Sequence, residues 1–150
     1  MSQIRKYQFH CIIAILIAIR FFHFDNTIDR PHAWRQHDTK QYIDSYYTDD
    51  KPFNKPSVCW MGGHETVILE FPLPEYLISK LYHVLGNSTW VARTFFLLFF
   101  IASIYYLYAS LKLIFKNQIP SIATIIYAST PLSLFYSRAI HIDFSVLFFE

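Results

Sequence analysis

The chain has 150 residues, of which 53% are hydrophobic, 19% aromatic and only 16% charged, with a net charge of +2. A water-soluble domain carries about 25% charged residues, so this composition points to lipid as solvent and excludes disorder and coiled coil. Two cysteines, Cys11 and Cys59, are too few for a disulfide scaffold, and the sequence has no basic cluster to hold nucleic acid.

A bilayer core needs about 20 largely apolar residues per helix. Residues 7–24 hold one charge, Arg20, near the end of the window, where its side chain is expected to snorkel toward the surface. Small residues for signal cleavage do not follow this stretch, because Arg20-Phe21-Phe22-His23-Phe24 comes next, so it reads as an uncleaved anchor. Residues 94–111 hold no charge and are bracketed by Arg93 and Lys112. Residues 117–137 hold none either; Pro120 falls in a first helical turn, where it is tolerated, and Pro131 is placed to kink or stop the helix.

The fold expected is therefore all-α: multi-pass transmembrane helices with a long external loop carrying short interfacial helices. The spans are set at about 7–24, 91–113 and 118–137, with the external loop at 25–89. A fourth span is expected to begin near residue 142, so the sequence reads as the N-terminal part of one polytopic membrane domain. Arg5 and Lys6 precede the first span and Lys112 and Lys116 separate the second from the third, with no acid in either stretch. By the positive-inside rule both face the cytoplasm, and residues 23–89 face the periplasm or lumen. That places Cys11 and Cys59 at different depths, unable to pair. The localisation expected is an inner bacterial membrane, multi-pass.

A loop of this length is functional or disordered, and its large apolar and aromatic residues argue against disorder. Residues 37–47 supply a short helix with Tyr42, Ile43, Tyr46 and Tyr47 on its apolar side, broken by the Asp-Asp-Lys-Pro and Asn-Lys-Pro runs that follow. Met61-Gly62-Gly63 marks a turn and Val67-Ile68-Leu69 an extended piece. From Glu75 to Leu85 the apolar positions 77, 78, 81, 84 and 85 form a helical stripe, and Gly86-Asn87 is a stop. With Tyr76, Tyr82 and Trp90 alongside, this helix suits a membrane interface.

Three segments carry a resemblance: His32-Ala33-Trp34-Arg35-Gln36-His37-Asp38-Thr39 after the first span, Glu70-Phe71-Pro72-Leu73-Pro74-Glu75-Tyr76-Leu77 before the interfacial helix, and Ser137-Arg138-Ala139-Ile140-His141-Ile142-Asp143 after the third span. In this order the chain resembles the N-terminal part of polytopic glycosyltransferases of the GT-C fold, near the protein O-mannosyltransferases and the aminoarabinose transferase, over roughly residues 20–145. The resemblance implies transfer of a sugar from a polyprenyl-phosphate-linked donor to an acceptor hydroxyl of a glycan, lipid or protein on the external face, with inversion. It also implies that Asp38 is the catalytic carboxylate at the start of the first external loop, acting at the acceptor or supporting the transfer. A sugar hydroxyl is a weak nucleophile that needs a carboxylate to take its proton, and a departing phosphate needs cations. Arg35, Lys40, Arg93 and Arg138 are the candidates for the donor phosphate. Glu65, Glu70, His141 and Asp143 are candidate supporting groups. No cofactor is indicated beyond a possible divalent metal, for which adjacent His64 and Glu65 are a weak signal without a further ligand at the right spacing.

Each residue also has a plainer reading. Asp38 suits a helix N-terminus, Arg35 suits an ion pair with Asp38, and Glu70 suits a pair with Lys80. His141 and Asp143 suit a buried polar pair. The Tyr105-Tyr106-Tyr108 group reads as an ordinary helix face and Phe95 to Phe100 as lipid-facing. The alternative function is a non-catalytic membrane module or an inactive transferase piece; a channel ranks last, because the charges crowd the external ends of the spans.

Overall fold

The computed structural model describes residues 3–22, 24, 28, 33–58, 66 and 71–143. Among these the secondary structure is helical: α1 Gln3–Ile19, α2 Ala33–Thr48, α3 Leu73–Leu85, α4 Thr89–Ile114, α5 Ile119–Ser129 and α6 Pro131–Tyr136. They fall into two compact units, one made of Met1–Phe24, Phe96–Arg138 and Asp143–Glu150, the other of Asp25–Phe95 and Ala139–Ile142.

The first unit is apolar. α4 is the helix long and apolar enough to cross a bilayer, and α1 (from Tyr7) and α5 are shorter apolar helices. At 26 residues, α4 rises about 39 Å, more than the roughly 30 Å of a hydrocarbon core. Its start is capped by Ser88, whose Oγ accepts from the Trp90 N–H at 3.2 Å. Leu97, Phe100 and Ile104 on α4 are buried with Phe24 and Ala128, and Ile13 and Leu16 of α1 and Tyr127 of α5 pack around them. Phe96 is also fully buried, while Leu98 is exposed. The Phe95 to Phe100 run is thus not uniformly lipid-facing: a stripe at three- and four-residue spacing turns inward. Tyr105 and Tyr106 lie open, whereas Tyr108 stacks on Phe9 with centroids 4.8 Å apart.

The stretch 118–137 is divided rather than continuous. Thr130 is extended at φ −61° and ψ 143°, as the residue before a proline prefers, and α5 ends at Ser129. The chain restarts as α6, with Pro131 in its first turn and Thr130 Oγ1 accepting from the Ser133 N–H at 3.2 Å.

Arg20 departs from its expected place. It is 1% exposed and does not reach to a surface. Its Nε donates to Ser137 Oγ at 2.7 Å, Nη2 donates to the Ala128 carbonyl at 2.7 Å, and Nη1 donates to the Leu16 carbonyl. The guanidinium also lies 4.3 Å from the centroid of the Phe100 ring. These partners replace water, which is what allows a charge to stay inside.

In the second unit α2 packs on α3. Buried Gln36, Thr39, Tyr42, Ile43 and Tyr46 form one stripe of α2, and Glu75, Ile78, Ser79 and Tyr82 form that of α3. Tyr46 and Tyr76 meet edge to face, 5.4 Å between centroids, and Tyr47 meets Tyr82 likewise at 5.7 Å. The Tyr46 hydroxyl donates to the Phe53 carbonyl at 2.7 Å, fastening the segment after α2. α2 begins at Ala33, before the 37–47 expected, and buried Gln36 with half-buried Arg35 carries its stripe back toward the chain's start. α3 stops at Gly86, whose φ of +87° disfavours any side chain and whose N–H donates to the Tyr82 carbonyl at 2.9 Å. The Met61-Gly62-Gly63 turn and the Val67-Ile68-Leu69 piece lie outside the described residues.

Candidate functional site

α2 sets Arg35 and Asp38 three residues apart, neighbours on a helix surface, and both are half-buried. At about 100° per residue, Arg35 falls on the same side as Tyr42 and Tyr46, the side buried in the second unit, and Asp38 falls on one edge of that side. Lys40 falls on the opposite edge. Its ammonium pairs with Asp44, donates to Asn87 Oδ1 at 3.1 Å and lies 5.3 Å from the centroid of the Tyr82 ring. Lys40 therefore ties α2 to the turn after α3, and the helix does not bring it to the Asp38 edge. Trp34 is exposed, with the Arg35 guanidinium 5.8 Å from its ring centroid.

The remaining candidates fall in both units. Arg93, in the same unit, is 1% exposed. Gln36 Oε1 accepts from the Ile140 N–H at 3.4 Å, drawing the 139–142 segment onto α2, and the neighbouring His141 is buried. In the first unit, Arg138 Nη1 donates to the Phe22 carbonyl at 2.7 Å, and Asp143 is exposed. Glu65 and Glu70, with His64, lie outside the described residues. Lys80, read as a partner for Glu70, has Asp50 3.6 Å away. Among the described residues no group of three His, Cys, Asp or Glu side chains is placed to hold a metal ion.

A carboxyl that spacing marks only as the start of a helical stripe stands out. Glu75 is 2% exposed, and its Oε2 has no hydrogen-bond partner among the described residues. Burial raises its pKa to about 7; its own backbone N–H and the Arg35 charge act in the opposite sense. Burial, with Glu75 as the next cause, also pushes the Tyr46 phenol up, and burial does the same to Tyr82. A signal for Glu75 was present in the sequence. Pro72 caps α3 and Pro74 follows one residue into it, so Glu75 occupies the third helical position, from which a glutamate normally reaches back to the N-cap N–H. Proline has none, and the carboxyl is left for another use.

A family model described as dolichyl-phosphate-mannose-protein mannosyltransferase matches residues 70–149, more than half of the chain. No curated protein and no solved structure gives a significant match.

Proposed function

The chain belongs to the dolichyl-phosphate-mannose-protein mannosyltransferase family, one of integral-membrane glycosyltransferases, and on that premise we propose that it moves a sugar, mannose in the first instance, from a polyprenyl-phosphate donor to a protein hydroxyl. The observation that supports this reading is the placement of Arg35 and Asp38 three residues apart on α2, both half-buried. Asp38 takes the proton of the acceptor hydroxyl as its oxygen bonds to the anomeric carbon. The bond from that carbon to the phosphate oxygen breaks, and the phosphate keeps the electron pair. Arg35 meets that charge with a planar fork that fits phosphate, and Arg93, in the same unit, adds to the donor's electrostatic surroundings. Glu65, Glu70, His141 and Asp143 support acceptor or loop.

In the same reading the apolar helices span the membrane several times, the N-terminus is cytoplasmic, and α2 and α3 lie on the external face. The spans in this reading lie near 7–24, 91–113 and 118–137, with another starting near 142. Transfer of labelled mannose from polyprenyl-phosphate mannose by membranes containing the protein, compared with those containing Asp38→Asn, tests the assignment.

A further inference from the structure

α1 and α5 pack side by side in the first unit and run in the same direction: Arg20, just past α1, reaches the Ala128 carbonyl near the end of α5. Between them lies an open groove of about 350 Å³, within the roughly 300–1,000 Å³ of ligand pockets. Its lining is graded. Gln8 on α1 with Gln118 and Ser121 stand at the end where both helices begin, and Ile12, Ile122 and Ile125 line the rest. From Gln118 to Ile125 the helix rises about 10 Å, most of one leaflet of a roughly 30 Å hydrocarbon core.

The charge around the polar mouth is of one sign. Residues 1–24 and 96–138 carry Arg5, Lys6, Arg20, Lys112, Lys116 and Arg138 and no Asp or Glu. Arg20 and Arg138 belong to the other end of the helices, where they donate to neutral oxygens. In the chain, Arg5 and Lys6 precede Gln8, and Lys116 precedes Gln118. Lys112 comes to the same end through packing: its ammonium lies 5.5 Å from the centroid of the Tyr108 ring, and Tyr108 stacks at 4.8 Å on Phe9 in the groove wall. The positive-inside rule accounts for the side on which these cations lie. It gives no occupant to a groove that is polar at the cationic end and apolar beyond it.

We propose that this groove binds an anionic phospholipid, with the phosphate headgroup at Gln8, Gln118 and Ser121 near Lys112 and Lys116 and one acyl chain laid along Ile12, Ile122 and Ile125. The amide and hydroxyl groups donate to phosphate oxygens, and the lysines meet the net negative charge, as in basic pockets between transmembrane helices that hold anionic headgroups. A zwitterionic phospholipid has the same chains and a neutral head, so the lysines decide between the two. The occupant is not the sugar donor, which the reaction needs on the external face, at the opposite end of these helices. The site needs α1 and α5 to span the membrane and needs nothing of the sugar transfer.

Two measurements on the full chain test it. In the first, the protein is released from micelles holding equal amounts of phosphatidylglycerol and phosphatidylethanolamine, and native mass spectrometry identifies the lipid retained. The wild type should keep phosphatidylglycerol in preference to phosphatidylethanolamine. Lys112→Gln combined with Lys116→Gln should lower that preference by roughly ten- to thirtyfold. Ile122→Trp, which fills the groove from an exposed position and keeps both lysines, should abolish the retention. Equal retention of the two lipids by the wild type, or an unchanged preference in either variant, overturns the proposal. The second measurement needs no variant: phosphatidylglycerol with a photoreactive group in its acyl chain is irradiated in membranes containing the protein, and the labelled peptides are mapped. Label should concentrate on residues 8–12 and 118–125 and be displaced by excess phosphatidylglycerol but not by phosphatidylethanolamine. Label spread evenly over exposed apolar positions such as Leu98 and Tyr105, or absent from the groove because another helix of the protein covers it, overturns the proposal. Neither readout depends on transfer, so failure of the mannosyltransferase reading and failure of the lipid site are told apart.

Discussion

Arg20 Nε donates to Ser137 Oγ at 2.7 Å, joining residues 117 positions apart in the chain. The tie is reciprocal: one residue further along, Arg138 donates back to the Phe22 carbonyl, also at 2.7 Å. Two short turns, 20–22 and 137–138, are thereby fixed to each other within the apolar unit, while the other Arg20 nitrogens occupy carbonyls at the ends of α1 and α5.

Lysine in place of Arg20 keeps the charge and loses the fork. Hydrogen bonds to charged groups contribute about 1.5–3 kcal/mol each, and breaking one side of a buried charge arrangement costs more than its replacement would. Arg20→Lys should therefore lower stability by on the order of 3 kcal/mol, and Ser137→Ala by about half that. Thermal unfolding of the detergent-solubilised protein measures both; equal stability of Arg20→Lys and wild type would contradict the buried network.

Glu75 makes stability depend on pH in a definite sense. Its folded pKa is raised from 4.5 to about 7, so the folded state binds the proton more tightly than the unfolded chain. The associated stability is complete below pH 4.5, declines as pH rises between the two values and is gone above about 7. Because each pKa unit corresponds to about 1.4 kcal/mol, Glu75→Gln should exceed the wild type by up to ~3 kcal/mol at pH 8 and converge with it near pH 4.5. A difference that is constant across pH would contradict the burial of this carboxyl.

What the sequence makes legible follows local physics. The uncharged window bracketed by Arg93 and Lys112 marks the long helix α4, the stripe from Glu75 with Gly86 beyond it marks α3, and Pro131 marks the break between α5 and α6. Arg20 was not legible, because its acceptors at residues 128 and 137 become neighbours only when α1 and α5 pack, and a window count sees only a charge near an apolar end. The same holds for the inward-turned phenylalanines of α4, whose stripe is hidden in a run that is apolar on every side. Of the site, the adjacency of Arg35 and Asp38 is readable from spacing alone. The burial of Glu75 depends on α3 meeting α2, a contact with no counterpart in local sequence.

Arg35→Lys tests the phosphate contact. It should weaken apparent affinity for polyprenyl-phosphate mannose by roughly 1–3 kcal/mol, the range for a lost charged hydrogen bond. Lys55→Arg, at an exposed position, serves as the control and should leave the affinity unchanged. If Arg35→Lys matches Lys55→Arg, the guanidinium does not meet the donor.

Topology is tested by cysteine labelling of intact cells. Cys11 lies on α1 with its side chain exposed on the isolated protein, a surface that lipid would cover. An impermeant thiol reagent should label Cys59 and leave Cys11 untouched. Labelling of Cys11 alone would invert the orientation and remove α2 and α3 from the external face.

The central claim is that Asp38 takes the acceptor's proton, and mannose transfer from polyprenyl-phosphate mannose by native membranes tests it most directly. Asp38→Asn keeps the shape and removes the charge, so turnover should fall by at least ~10²-fold, with the protein present in the membrane at its normal level and donor affinity little changed. Near-normal turnover in Asp38→Asn would contradict the account and leave Asp38 as a carboxylate near the start of α2 with no part in the chemistry.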